Sequence, residues 1–241
     1  MALSVKGFLP VSMLDWDGHL VTTLFTGGCN FRCPYCHNPD LVINSHKLAD
    51  IDFDQVERHL ISKKGWLDGV VVTGGEPLLY PRLEELLRRI KNLGYQAKLD
   101  TNGALPGALE KLFKKELVDY VAMDIKTTFK KYEQVTKSDS HQNIKKSIKL
   151  LVTSGIAHEF RTTVVPEIVT ADDVLEIAYS IKGGDLYFLQ QFSSQQVLEP
   201  QASTIIKYPD TFLVKLASKC QQLIPTKVRG VEQRRTMAEA V

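Results

Sequence analysis

The residues best suited to chemistry in this sequence are three cysteines that lie within eight positions of one another. Cys29, Cys33 and Cys36 form a C-x3-C-x2-C run in the segment FTGGCNFRCPYCHNPD, whereas the fourth cysteine, Cys220, lies far along the chain. Thiolates are soft ligands that suit zinc or iron-sulfur clusters. A cluster of four irons held by three thiolates keeps one iron open for chemistry. The spacing therefore indicates a metal centre.

A structural zinc ion is the alternative occupant of such a centre. Zinc sites usually draw on two ligand pairs separated by a longer loop, and this sequence has no second cysteine pair. His37 would complete a Cys3His set. It is adjacent to Cys36, however, and neighbouring residues in an extended loop point in different directions. A zinc-stabilised binding module that is not an enzyme stays open at this point.

Composition and charge exclude several other classes of protein. The 241 residues include 30 basic and 28 acidic side chains, and the net charge of +2 predicts no nucleic-acid partner. No apolar run approaches the roughly 20 residues that cross a bilayer, and the first residues lack the apolar block of a secretory signal. Clustered cysteines make a poor disulfide framework. We expect a cytoplasmic protein without a membrane partner.

Short β-branched runs alternate with segments of helical period, which is typical of βα units around a parallel sheet. The predicted strands cover residues 20–25, 69–75, 95–100, 120–125, 159–165 and 185–192. The predicted helices cover residues 52–64, 81–92, 105–116, 141–154 and 171–181, with another near 209–222. A full eight-stranded barrel typically needs about 250 residues. We therefore predict an α/β fold built as a partial (β/α)6 TIM-like barrel with an open side.

Short polar side chains and glycine are predicted to mark helix ends. Asp52 and Asp172 are placed to cap the first and fifth predicted helices, because a short polar side chain can accept a bond from the first turn. Gly155 follows the fourth predicted helix, where a left-handed residue is expected.

The chain shows no internal repeat and no Pro/Ser-rich linker, so we predict a single domain over residues 1–241. Its core is expected over about residues 18–192. A C-terminal helix and strand extension is expected over 193–231, starting with a long loop over 193–206. Residues 232–241 are predicted to be a polar tail.

Polar residues end the predicted strands, where side chains of a βα barrel face the reaction chamber. TGGEPLL (73–79) follows the second strand, and its glycines permit either close approach of a ligand or a tight turn. Asp100 and Asp124 end the third and fourth strands, in LDTNG and MDIK. Paired carboxylates repel unless a cation lies between them, which suggests a metal ion or the amino group of a substrate.

Two basic residues lie close to these carboxylates in the predicted fold. Lys126 and Arg161 would hold a carboxylate of the substrate, Arg161 by a bidentate pair. Ordinary salt bridges with nearby acids are the alternative for each.

Taken together, these motifs resemble the radical S-adenosylmethionine superfamily. The three cysteines with Phe31 and Tyr35 beside them are highly specific for that family. The resemblance implies that the cysteines hold one 4Fe-4S cluster, whose free iron is chelated by the amino and carboxylate groups of S-adenosylmethionine. An electron then cleaves the sulfonium C–S bond, leaving methionine and a deoxyadenosyl radical that abstracts hydrogen.

The resemblance also implies a set of cofactor-binding residues. Gly74, Gly75 and Glu76 match the GGE segment that binds the amino end of S-adenosylmethionine. The full set that it implies is Tyr35, Gly74, Gly75, Glu76, Asp100, Thr101, Asp124, Lys126 and Arg161.

From about residue 7 to residue 192 the motifs resemble glycyl-radical-enzyme activases, most of all those of anaerobic ribonucleoside-triphosphate reductase. This implies hydrogen abstraction from a glycine of that partner and a flavodoxin- or ferredoxin-type electron donor. In some activases the positions of Asp100, Thr101 and Asp124 also contribute to a monovalent cation site. Activation of another enzyme such as pyruvate formate-lyase, or action on a small molecule or peptide, remains open.

The chain departs from pyruvate formate-lyase activases at FLQQF (188–192), where those proteins have L-P-Y-H with a histidine near the cofactor. Gln190 or Gln191 would have to take its place. The chain also lacks an inserted ferredoxin-like domain with more cysteines, so we expect one cluster.

Overall fold

A computed structural model describes residues 3–232, so the predicted tail beyond residue 232 lies outside the described residues. The strands are β1 Ser4–Val5, β2 Gly7–Ser12, β3 Val21–Thr26, β4 Ile51–Asp52, β5 Gly69–Gly74, β6 Gln96–Thr101, β7 Tyr120–Asp124, β8 Ala157–Val164, β9 Tyr187–Gln191 and β10 Thr226–Arg229. The α-helices are α1 Pro39–Ile43, α2 Phe53–Ser62, α3 Leu83–Asn92, α4 Pro106–Lys114, α5 Tyr132–Thr136, α6 His141–Ser154, α7 Ala171–Ser180 and α8 Asp210–Cys220.

Eight strands form one sheet in the order β10-β9-β8-β7-β6-β5-β3-β2. All neighbours pair in parallel except β2, which is antiparallel to β3. Within residues 3–232 the two edge strands do not pair with each other, so the sheet curls without closing. The predicted α/β class and partial TIM-like barrel are confirmed.

All six predicted strands are present, with their ends shifted by at most two residues. The six predicted strands do not include the edge strands β2 and β10, although a strand without stated bounds is expected in the C-terminal extension. Pro10 interrupts the pattern of β2 because proline cannot donate to a ladder, and β10 is only four residues long. The segment predicted as a long loop contains a 3-10 turn at Pro200–Thr204. The division into a core and a C-terminal extension stays a prediction.

The two faces of the sheet differ in polarity. Leu24, Val72 and Leu99 are fully buried against the helices, as the alternation of side chains along a strand allows. On the other face, Lys98 and Asp100 of β6 point into the barrel and contact each other. The barrel interior is therefore charged, in contrast to the aliphatic layers typical of a full TIM barrel.

A small apolar cluster lies in the barrel at the amino end of the strands. Trp16 packs against Val21 and Val71, and its ring centroid is 5.5 Å from that of Tyr120. The loop between β2 and β3 carries Trp16 and covers this end. The opposite end, where the strands finish, remains open to solvent.

The ends of α2 and α6 confirm the predictions at Asp52 and Gly155, and the start of α7 corrects the prediction at Asp172. The Asp52 carboxylate accepts from Asp54 N–H at 2.9 Å, and Gly155 ends α6 with a φ of 74°. Asp172 is not the cap of α7. Thr170 accepts from Asp173 N–H at 3.2 Å, while the Asp173 carboxylate accepts from Thr170 N–H at 2.8 Å. This reciprocal capping box occupies both side chains, which leaves Asp172 exposed in the first turn.

This correction predicts unequal effects at α7. Thr170→Ala should lower the free energy of unfolding by about 1 kcal/mol, because it leaves first-turn N–H groups without a partner. Asp172→Ala should cost about 0.5 kcal/mol or less, since only its interaction with the helix dipole is lost. Urea unfolding of the two variants measures the difference. A larger loss in Asp172→Ala would contradict the assigned cap.

Candidate active site

The three clustered cysteines line one pocket at the carboxyl ends of the strands. All three are free thiols in the loop that follows β3, and the pocket has a volume of about 260 Å³. Main-chain hydrogen bonds to other segments anchor this cluster loop, defined as residues 27–38. Gly28 N–H donates to the Leu41 carbonyl at 2.7 Å, and Arg32 N–H donates to the Thr136 carbonyl at 2.8 Å. The loop is therefore held from both sides.

Gly74 and Gly75 allow the loop after β5 to pack directly on the cluster loop. A Cβ added at Gly75 would lie 2.0 Å from the Gly28 carbonyl oxygen, and one at Gly74 would lie 2.2 Å from that of Thr26. Gly75 N–H donates to the Thr26 carbonyl at 3.0 Å. The close approach that these glycines permit is thus to neighbouring main chain, and it brings both residues onto the pocket wall.

Glu76 lies behind the pocket wall and does not line the pocket. Its fully buried carboxylate accepts from Thr101 Oγ1 and Asn102 N–H at 2.7 Å each, and from Leu78 N–H at 3.0 Å. Burial raises the pKa of Glu76 to about 7, although these three hydrogen bonds act in the opposite direction. Glu76 therefore joins the end of β5 to the end of β6. In the structure its carboxylate is hydrogen-bonded to other residues of the protein and does not face the pocket.

Asn102 is a site residue that the sequence reasoning did not single out. Its side-chain amide donates to Asn30 Oδ1 at 2.9 Å and lies 3.8 Å from Cys29 Sγ. Phe31 N–H also donates to that sulfur, at 3.3 Å. Asn102 belongs to the motif LDTNG. Its position directly after a predicted strand could have identified it as a residue that faces the pocket. Nitrogen donors directed at a cysteine sulfur are typical of iron-sulfur ligation.

The cysteine thiols are in an environment that disfavours a free thiolate. Burial raises the pKa of Cys29, and it raises that of Cys33 to about 12. Lys126 opposes this effect at both cysteines. A coordinating metal deprotonates a thiol outright. The donor set thus fits a metal centre that supplies the missing positive charge.

Within residues 3–232 no group of three His, Cys, Asp or Glu side chains is arranged around a single metal ion. In an iron-sulfur cubane each thiolate binds its own iron, so the three sulfurs do not meet at one point. His37, the alternative zinc ligand, also lines the pocket. Its Nδ1 lies 3.0 Å from the Gln196 carbonyl oxygen.

Asp100 and Asp124 lie on neighbouring strands with Arg161 between them. Arg161 Nη1 donates to Asp100 Oδ2 at 3.0 Å and Nε donates to Asp124 Oδ1 at 2.8 Å. Burial tends to raise the pKa of both carboxyls, but Arg161, together with Lys98 at Asp100 and Lys126 at Asp124, holds each pKa below its usual value. The cation expected between the two carboxylates is thus a side chain of the protein.

Asp100, Asp124 and Arg161 form the charged floor of the pocket. Lys126 connects this floor to the loop that carries the cysteines. Its ammonium donates to Asp124 Oδ2 at 3.0 Å, and its carbonyl accepts from the buried Tyr35 hydroxyl at 3.1 Å. Burial disfavours the ammonium, yet Asp124 together with Cys33 and Tyr35 keeps the pKa of Lys126 well above its usual value. Tyr35 thereby fixes the cluster loop to the end of β7.

The two glutamines of FLQQF have different environments. Gln190 lines the pocket, whereas the Gln191 amide donates to the Tyr208 carbonyl at 2.9 Å and to Asp210 at 2.8 Å. Of the two residues that would replace the histidine of pyruvate formate-lyase activases, only Gln190 is therefore on the pocket wall.

The pocket brings together most of the predicted site. The predicted residues on its wall are Cys29, Cys33, Tyr35, Cys36, Gly74, Gly75, Asp100, Thr101, Asp124, Lys126 and Arg161. Those that the prediction did not assign to the site are Phe31, His37, Asn38, Val42, Thr73, Asn102, Thr163 and Gln190. Of these, Gln190 is one of the two candidates to replace the histidine of pyruvate formate-lyase activases, and His37 is the alternative zinc ligand.

Known proteins of one superfamily match most of this chain, including the segment that carries the three cysteines. The model of the radical SAM superfamily matches residues 23–179. The chain therefore belongs to this superfamily of enzymes, which implies a 4Fe-4S cluster and S-adenosylmethionine.

Two curated relatives of this chain are both named as activating enzymes. The chain is 34% identical over 215 residues to a protein of Methanocaldococcus jannaschii named "Putative glycyl-radical enzyme activating enzyme", covering 83% of this chain and 85% of the relative. It is 36% identical over 113 residues to the pyruvate formate-lyase-activating enzyme of Staphylococcus aureus, covering 43% of this chain and 45% of that enzyme. Its relatives are thus named as activating enzymes.

Solved structures share the fold at low sequence identity. Streptococcus suis SuiB has a TM-score of 0.68 and 17% identity, over 87% of this chain and 49% of SuiB. A domain of the pyruvate-formate lyase-activating enzyme from Bacteroides vulgatus has a TM-score of 0.53 and 15% identity, over 67% of this chain and 99% of the domain. The chain spans about half of SuiB. None of the helices described here is long and apolar enough to cross a membrane.

The raised pKa of Glu76 predicts a pH dependence of stability. Because the folded state keeps this proton to about pH 7 and the unfolded chain loses it near 4.5, wild-type stability should fall as pH rises through that window. Glu76→Gln has no such proton. Its unfolding free energy relative to wild type should rise by about 2–4 kcal/mol across the window, measured by urea unfolding at several pH values. A constant difference would contradict the assignment.

Removal of Arg161 should be far more costly than removal of an exposed arginine. Arg161→Met leaves two buried carboxylates facing each other and should cost about 3–5 kcal/mol. The control is Arg88→Met, which breaks an exposed helix pair with Glu84 and should cost about 0.5 kcal/mol or less. Chemical unfolding compares the two, and equal losses would show that the bridge contributes little.

Proposed function

We propose that this chain activates a glycyl-radical enzyme by reductive cleavage of S-adenosylmethionine and hydrogen abstraction from a glycine of the partner. The observation that carries the proposal is the juxtaposition of three free thiols with Asp124, Lys126 and Arg161 in one open pocket. The relative at 34% identity, named as an activating enzyme, supports it.

Cys29, Cys33 and Cys36 are the residues proposed to hold the 4Fe-4S cluster. When bound, the cluster supplies the electron that cleaves the sulfonium bond. The chain holds the sulfurs in place through the Tyr35 hydroxyl, the Asn102 amide and the anchored cluster loop. Buried surroundings at Cys33 limit access of water to the ligands.

The charged floor and the glycine wall are proposed to orient S-adenosylmethionine. Its methionyl end is zwitterionic, and the pocket offers carboxylates and cations side by side. Lys126 is the pocket cation with the greater exposure, since its side chain is 23% exposed and that of Arg161 is 11% exposed. We propose that Lys126 receives the carboxylate and that the main chain at Gly74 and Gly75 receives the amino end. Thr101 keeps the wall in place through Glu76.

We propose anaerobic ribonucleoside-triphosphate reductase as the partner. The motif set of this chain resembles its activases, and the side of the barrel where β2 and β10 fail to meet suits insertion of a protein loop. Pyruvate formate-lyase is the second candidate, favoured by the names of the relatives from S. aureus and B. vulgatus. Gln190 in place of a histidine supports the first.

The proposal extends to the surroundings of the enzyme. We propose a cytoplasmic location and a flavodoxin- or ferredoxin-type electron donor, because the reaction needs a low-potential electron. The single predicted domain remains part of the proposal. A monovalent cation at Asp100, Thr101 and Asp124 stays a prediction from the resemblance.

Cysteine variants test the proposed ligands. Cys29→Ala, Cys33→Ala and Cys36→Ala should each abolish formation of 5′-deoxyadenosine, because a missing thiolate leaves an iron without its ligand. Cys220→Ala is the matched control, a buried cysteine in α8 that should retain most activity. Iron content and product formation are measured after anaerobic reconstitution. Survival of activity in the first three variants would refute the ligand assignment.

The partner is tested by electron paramagnetic resonance. Reduced enzyme and S-adenosylmethionine are incubated anaerobically with either anaerobic ribonucleotide reductase or pyruvate formate-lyase. We expect the glycyl-radical doublet with the reductase and at most a weak one with the lyase. A strong signal only with the lyase would reverse the choice. Cleavage without a doublet from either would favour action on a small molecule or peptide.

A further inference from the structure

All four carboxylate oxygens of the paired aspartates lie next to cations of the protein. Asp100 Oδ1 is 3.1 Å from Lys98 Nζ, and its Oδ2 is 3.0 Å from Arg161 Nη1. Asp124 Oδ1 is 2.8 Å from Arg161 Nε, and its Oδ2 is 3.0 Å from Lys126 Nζ. The Lys98 contact is an ion pair without hydrogen-bond alignment. Three protein cations thus surround two carboxylates.

Lys98 is built into the barrel interior. Its side chain is 1% exposed, compared with 23% for Lys126. Its ammonium donates to the Asp15 carbonyl, and the Asp15 carboxylate accepts from Thr23 Oγ1 at 2.6 Å. Lys98 and Asp100 share one face of β6 because they are two residues apart. The loop that covers the amino end of the barrel therefore holds this ammonium beside Asp100.

A monovalent metal ion does not fit this arrangement. Such an ion would need carboxylate oxygens of Asp100 and Asp124, and each of these already faces an ammonium or guanidinium. To bind, the ion would have to displace Lys98 or Arg161. A buried cation that loses its carboxylate is costly, and Lys98 at 1% and Arg161 at 11% side-chain exposure have little water to replace the partner.

We propose that Lys98 and Arg161 replace a monovalent cation at Asp100 and Asp124, so that this chain binds S-adenosylmethionine without K⁺ or Na⁺. The inference rests on the proposed function of this pocket. Lys98 and Arg161 are positioning residues that keep the two carboxylates neutralised. Lys126, nearer the solvent, then interacts with the cosubstrate while the other two cations stay in place.

The first test measures S-adenosylmethionine binding to cluster-loaded enzyme by anaerobic calorimetry. Buffers contain KCl, NaCl or choline chloride at equal ionic strength, since choline is too large for a carboxylate pair. The Kd should agree within about twofold in the three salts. Binding that weakens by about tenfold or more in choline would overturn the inference. Absence of binding in every salt would instead contradict the proposed function.

The second test removes the buried ammonium. Lys98→Met should weaken binding by about tenfold in choline and recover in KCl, because the freed Asp100 oxygen now accepts K⁺. Lys98→Arg, which keeps the charge, should remain independent of the salt. The matched control is Lys91→Met, which breaks the pair with Asp119 elsewhere on the molecule and should show no difference between salts.

Thermal unfolding of the same proteins gives a readout independent of the cosubstrate. KCl should raise the midpoint of Lys98→Met relative to choline chloride, and it should leave wild type and Lys91→Met unchanged. A folded Lys98→Met that responds to neither salt would show that Lys98 is not the replacing cation. If that variant does not fold, the wild-type comparison alone decides the inference.

Discussion

The neutralisation of buried charge inside the partial barrel is the constraint on which the site depends. Asp100 and Asp124 face each other from adjacent strands, and Arg161 on the next strand donates to both. Without that cation the two carboxylates would repel in a poorly solvated interior. Two lysines add further positive charge next to these carboxylates. Lys98 pairs with Asp100 in the barrel interior, and Lys126 pairs with Asp124 nearer the solvent. The pocket floor is thus fixed in position before any ligand arrives.

Close packing of two loops provides the second fixed part of the site. Glycines after β5 let its main chain contact the cluster loop, and Glu76 ties the same turn to the end of β6. The positions of the cysteines are therefore fixed by packing against the turn after β5 as well as by their own loop. Ligand sulfurs, glycine wall and charged floor are held by neighbouring strand ends of one parallel sheet, which explains how residues so distant in sequence share one pocket.

The barrel is open on one side, and this suits the proposed reaction. Small-molecule enzymes of the TIM-barrel type enclose their substrates, but a glycine in another protein has to be brought in on a loop. The unpaired edges β2 and β10 leave such a gap within the described residues. The loop that carries Trp16 covers the amino end of the barrel.

Periodicity and motif spacing were enough to predict the fold class, the six central strands and the cysteine run, because these features are local in sequence. The family also followed from the sequence, since three thiols at this spacing are highly specific. The edge strand β2 was not predicted because Pro10 interrupts it, and the bounds of β10 were not predicted because it is very short. The cap of α7 was misplaced by two residues, since several neighbouring polar side chains suit the same role.

Only the tertiary structure decided which side chains pair with one another inside the site. Sequence placed Asp100 and Asp124 on adjacent strand ends, but the register of β8 determined that Arg161 bridges them. Glu76 belongs to a binding motif, yet its carboxylate is behind the wall because Thr101 and Asn102 satisfy it there. Lys98 gave no signal, since a buried lysine is recognisable only when the carboxylate and carbonyl that hold it come together in the fold.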